Sequence, residues 1–200
     1  MIRIYLSPSV QEKNIGVGTY GTEEKRMNLL TDELQYILKQ IGYEIYRNIP
    51  TMQLKEIVEE SNRVTPSLHL ALHSNASKDR TARGLEIFCN KNNKEGVKIA
   101  NTIYGYLSPL TPANDRGIKD GTHLYEVGQP KATAILIEVG FHDNIEDAQW
   151  IQDNVKLIAW AIMQGLEDVY RVGEYNDFYK LKYENLLKDV KAIIKIYEGR

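Results

Sequence analysis

Residues 68–77 read LHLALHSNAS, an apolar run long enough for a buried strand that nevertheless carries two of the chain's four histidines. Successive strand side chains point to opposite faces, so His69 and His73 share a face that Leu68, Leu70 and Leu72 do not. At about 3.3 Å per residue the two histidines lie ~13 Å apart along the strand and cannot both bind one ion. Position 69 lies inside the strand and reads as a hydrogen-bonded structural histidine. Position 73 ends the run, where Ser-Asn-Ala breaks it.

Around this strand, short apolar runs alternate with helical patterns. Ile2 to Leu6, Tyr43 to Tyr46, Gly84 to Phe88 and Ala132 to Glu138 (ATAILIE) read as further strands. Met27, Leu30, Leu34, Ile37, Leu38 and Ile41 recur at helical spacing. Thr22 can cap that helix, Glu23 and Glu24 fall in its first turn, and Gly42 ends it. Met52 to Asn62, Val97 to Leu107 and the apolar positions Val155, Ile158, Ile162, Leu166 and Val169 mark more helices. Alternation with uniformly apolar strands predicts an α/β fold, a mostly parallel central sheet flanked by helices on both faces. Such sheets place their sites at the carboxyl ends of strands, so His73 and Glu138 are expected at one rim.

Two hundred residues suit one domain, residues 1–172, followed by an amphipathic helix over 173–200. In that tail Tyr179, Tyr183, Leu186, Val190, Ile193 and Tyr197 follow a coiled-coil rhythm. It fits a helix packed on its own domain or a homodimer through residues 176–197. A net charge of −2 argues against nucleic acid as a partner, and no apolar run is long enough for a membrane span. Cys89 is the single cysteine, which excludes an internal disulfide. MIRIYLSP runs straight into a strand without a secretory leader, so synthesis in the cytoplasm is expected.

A carboxylate closing an apolar strand, as Glu138 does, is partly desolvated, which moves it toward the range useful for proton transfer. Four stretches then resemble the zinc-dependent N-acetylmuramoyl-L-alanine amidases, cell-wall hydrolases of spore-forming bacteria and their phages: GTEEKRMNLL, LALHSNAS, Arg116-Gly117 in NDRGI, and AILIEVGFHDN. The likeness runs from about residue 2 to 170 and leaves out the tail. It implies a peptidoglycan substrate, Zn²⁺ held by Glu24 and His73, and Glu138 as the catalytic carboxylate. It also implies action on the cell wall after release, as a phage or prophage endolysin or, second, a sporulation hydrolase. Asn75 and Arg116 are candidates for holding substrate.

The family's usual Asp-Pro-Gly-His is replaced by LSPSVQEKN, and a gapless count back from Glu24 puts Val10 where the third ligand belongs. Gln11 next door is the favoured substitute. His123 or His142 could reach in instead, or the chain could be a peptidoglycan-binding pseudoenzyme. An assembly protein working through its coiled coil is a further alternative.

Overall fold

The computed structural model describes residues 1–113 and 116–171. Among these residues six strands form one sheet: β1 (Arg3–Pro8), β2 (Glu44–Arg47), β3 (Leu68–Asn75), β4 (Glu86–Cys89), β5 (Ile118–Asp120) and β6 (Thr133–Phe141). Their order is β2-β1-β3-β6-β4-β5, and only the β4–β6 pairing is antiparallel. The mostly parallel α/β architecture expected from the alternation is present. The helices are α1 (Glu23–Gln40), α2 (Leu54–Val64), α3 (Lys94–Leu107), α4 (Tyr125–Gly128), α5 (Ile145–Asp153) and α6 (Val155–Tyr170).

The two faces of the sheet differ. Leu68, Leu70 and Leu72 join Ile4, Leu6, Ile135 and Ile137 in a large core with α1, α3 and α6. On the other face, Ala71 and Leu136 pack against Val127 of α4 in a much smaller apolar cluster. His69 and His73 alternate onto this second face, which explains how a core strand accepts them. Thr22 caps α1 by accepting from the Lys25 N–H, and Gly42 leaves the helix with a φ of 100°.

Strands β3 and β6 both run past the predicted ends, to Asn75 and Phe141. Glu138 therefore lies inside its strand, and a register shift between His73 and Asn75 separates the last pairings. Sequence periodicity missed β5, α4 and α5, which are too short or too weakly patterned to show. The coiled-coil tail and the proposed dimer segment lie outside the described residues.

Helices α3 and α6 approach closely at Gly165, where an added Cβ would meet the Ile103 backbone at 2.7 Å. Gly165→Ala should therefore destabilise the fold by about 1–3 kcal/mol through overpacking. Helix propensity alone predicts a gain of about 1 kcal/mol. Denaturant unfolding of the two proteins decides between them.

Candidate active site

Register builds the site's floor. His73 pairs with Glu138, and Glu138 on its other side pairs with Glu86. Pro8 pairs with Leu72, and Ser9 follows it, donating its N–H to the Leu72 carbonyl at 3.0 Å. Ser9, His73, Glu138 and Glu86 thus form one row across four strands. Ser9 and His73 are buried, and Glu86 is 3% exposed.

The first turn of α1 brings a carboxylate to this row, and it belongs to Glu23. Its Oε1 lies 2.8 Å from His73 Nδ1, and its Oε2 accepts from Asn14 Nδ2 at 2.7 Å. Glu24 points elsewhere, into a surface depression shared with Lys25, Asn28 and Arg47. The predicted Glu24 is corrected by the helix's own periodicity. Met27, Leu30, Thr31, Leu34 and Leu38 are buried, and Glu23 continues their face while Glu24 does not. Counted back from Glu23, the gapless register lands on Ser9, not Val10.

Gln11 does not complete a shell with His73. It is exposed, and its side-chain oxygen accepts from Asn14 Nδ2 at 2.8 Å. His142 is buried, but its Nδ1 is bound to the Ser74 carbonyl at 2.8 Å. His123 is exposed and packs edge-on against Phe88. None of the three supplies a ligand beside His73.

A residue that sequence reasoning missed takes the other side of the His73 ring. Glu126 of α4 places Oε2 3.1 Å from His73 Nε2 and Oε1 3.5 Å from His69 Nε2. Ser7 also donates its hydroxyl to Glu126. Burial disfavours a charge on His73, yet its hydrogen bonds to Glu126 and Glu23 outweigh that and raise its pKa well above the ordinary value. Burial likewise pushes both carboxyls up, but hydrogen bonds and charge from the histidines leave each below the usual range. For Glu126 the histidines are His69 and His73.

Glu138 behaves oppositely. Burial raises its carboxyl to about 8, helped by the charges of Glu23, Glu86 and Glu126 and opposed by His73. Its Oε2 is buried without a hydrogen-bond partner. An unpaired carboxyl held near neutrality is the form a proton-transfer group takes. Beyond it, Glu86 gathers Asn75 Nδ2 at 2.7 Å, Arg116 Nε at 2.9 Å and the Lys119 ammonium. The Arg116 guanidinium also stacks over the Phe141 ring at 4.8 Å. Of the predicted site residues, His73 and Glu138 are neighbours, Asn75 and Arg116 meet through Glu86, and Glu24 and Gln11 stand outside.

Zinc takes nitrogen and carboxylate oxygen at about 2.0–2.2 Å, which sets two ligands of one tetrahedral ion ~3.3 Å apart. At 2.8 Å, Glu23 Oε1 and His73 Nδ1 are instead hydrogen-bonded directly to each other. Among the described residues, no group of three or more His, Cys, Asp or Glu side chains could hold a metal ion. Catalytic zinc takes three protein ligands, so the described residues fall short of that set.

The sequence profile of the N-acetylmuramoyl-L-alanine amidases matches residues 4–168, and the chain belongs to that family. No curated protein sequence matches it. Among solved structures, the catalytic domain of CwlV, an N-acetylmuramoyl-L-alanine amidase from Bacillus (Paenibacillus) polymyxa var. colistinus, is 22% identical. The match covers 86% of this chain and 99% of that one, with a TM-score of 0.77. The catalytic domain of the CD27L endolysin targeting Clostridia difficile is 22% identical over 84% of this chain and 98% of that one, with a TM-score of 0.72. The CwlD amidase from Clostridioides difficile, solved with the GerS lipoprotein, is 16% identical over 86% and 100%, with a TM-score of 0.75. At these identities the structural likeness establishes the fold.

A carboxyl whose folded pKa lies above its unfolded one costs stability once the pH passes the unfolded value. For Glu138 that window runs from its ordinary value of 4.5 up to about 8. Metal-free Glu138→Gln should therefore gain melting temperature relative to the parent between pH 5 and pH 7. An equal difference at both pH values would mean that Glu138 carries no such penalty.

Proposed function

We propose that the chain hydrolyses the amide between the lactyl group of N-acetylmuramic acid and L-alanine in bacterial peptidoglycan, with zinc as its metal. The observation that carries this reading is the Glu138 carboxyl, buried, unpartnered at Oε2 and raised to about 8, next to His73 across the β3–β6 ladder. Family membership supplies the bond and the substrate class.

Glu23 and His73 are the side chains that a zinc ion would meet beside Glu138, one short of the usual three-ligand set. Zinc, when bound, polarises a carbonyl and makes water more acidic. Glu138 takes a proton from the attacking water and returns it to the departing amine nitrogen. Its elevated pKa suits both halves of that exchange. We assign substrate contact to Asn75 and Arg116, which both bond Glu86 one strand beyond Glu138. We assign the protein to the cell wall as an endolysin, with sporulation as the second setting. The CD27L and CwlD likenesses are compatible with both settings.

One observation favours peptidoglycan binding without hydrolysis: among the described residues no group of three or more His, Cys, Asp or Glu side chains could hold a metal ion, whereas catalytic zinc usually takes three protein ligands. The two readings part in a turbidity assay on purified cell walls with detection of newly exposed alanine amines. Hydrolysis predicts clearing and new amines, both lost in a strong chelator. Glu138→Gln should lower the rate by about 10²–10⁴-fold, the usual contribution of general acid–base catalysis. Wall binding with no new amines from the zinc-supplied parent would leave the binding module.

The register correction predicts an asymmetry between adjacent glutamates. Glu23→Gln should abolish most clearing, whereas Glu24→Gln should leave it within about two-fold, as a surface substitution normally does. The reverse pattern would restore Glu24 to the site.

A further inference from the structure

The outer ridge of α1 carries apolar residues that the described domain leaves exposed. Lys25, Leu29, Asp32, Tyr36 and Lys39 form an exposed stripe at alternating steps of four and three residues. Leu29 is 42% exposed and Tyr36 59%. They stand about 10 Å apart along the helix axis. Beside Leu29 the ridge opens into the depression that also takes in Pro50 and Ile49, itself 59% exposed, just past β2. Single exposed apolar residues are ordinary on a protein surface. Three that line one ridge and end in one depression make a seat for a partner.

The chain that follows α6 starts at the other end of this ridge. Tyr170 packs edge-on against Tyr43 with ring centroids 6.5 Å apart, and Tyr43 lies just past the Ile41 cap of α1. Arg171 then takes a left-handed φ of 50°, which ends α6 and turns the chain off its axis. Residues 172–200 lie outside the described residues. Their sequence repeats the four-three rhythm of the ridge in Tyr179, Tyr183, Leu186, Val190, Ile193 and Tyr197. A stretch this short with one apolar stripe is marginal alone in water and needs an apolar partner. As a helix it would span about 27 Å, against about 18 Å of α1 between Ile41 and Leu29. Charge agrees as well. Five lysines and two acids fall between Tyr179 and Tyr197, while Asp32 and Glu33 lie between Leu29 and Tyr36 on the helix surface.

We propose that residues 174–200 dock back on their own domain, laying Tyr179 to Val190 along Tyr36 and Leu29 and reaching the depression at Ile49. Because the segment begins beside the carboxyl end of α1, its path runs antiparallel to that helix. Tethering favours this occupant over a second copy, since a short flexible link holds the tail at a roughly millimolar effective concentration. The seat is independent of the chemistry at the sheet's rim.

Cross-linking of the full chain with a short amine-reactive reagent, alongside its mass in solution, tests this. A monomer should carry links from Lys39 to Lys180 or Lys182 and from Lys25 to Lys191 or Lys195, the order that an antiparallel path sets. Tail-to-tail links in a dimer, links between α1 and the tail confined to a dimer, or a monomer with neither would overturn the proposal. Hydrogen exchange gives a second reading. Leu29→Ser combined with Tyr36→Ser, both at exposed positions outside the core, should lower protection of the 179–197 amides by about ten-fold or more, the weight of one buried side chain. Tail amides unprotected in the parent, or protection unchanged by the double substitution, would overturn it as well.

Discussion

The structure turns on one imidazole held between two buried carboxylates. His73 lies at the rim of the central sheet with Glu23 on Nδ1 and Glu126 on Nε2. Neither acid comes from a neighbouring strand: one starts the first long helix, and the other sits on a single turn just before β6. Their convergence ties both faces of the sheet to one side chain. It also accounts for the thin apolar packing on that face, where polar groups occupy space that leucines fill on the other.

Across the ladder, Glu138 lacks such partners. Glu23 and Glu126 have histidines to stabilise their charge, and Glu86 has Arg116 and Lys119. Glu138 has burial and three surrounding acids, so its proton is held toward neutral pH. Four carboxylates within one site are thereby divided into three paired anions and one acid that keeps its proton toward neutral pH.

Much of the fold was legible because period-two and helical patterns are strong where cores are continuous. The strands around 68, 133 and 3, and the helix from Thr22, follow from those patterns. The site was legible only in part. His73 and Glu138 were recognisable as rim residues, although β6 continues beyond Glu138 because a register shift lets both strands extend. Choosing Glu24 over Glu23 put the acid off the helix's buried face, although the spacing from Met27 and Leu30 already favoured 23. Glu126 could not be read, since a four-residue helix has too few turns to display a period. Its meaning depends on His69 and His73, more than fifty residues earlier in the chain. His69 is the hydrogen-bonded strand histidine expected, now with a carboxylate as well as Ser61 beside it.

The central claim of the proposed function is spatial, that a metal binds at Glu23 and His73 beside Glu138. Anomalous diffraction from zinc-soaked crystals at the zinc edge tests it directly. The account predicts a peak about 2.0–2.2 Å from both Glu23 Oε1 and His73 Nδ1. A peak confined to surface carboxylates such as Glu24, or none at His73, would contradict it.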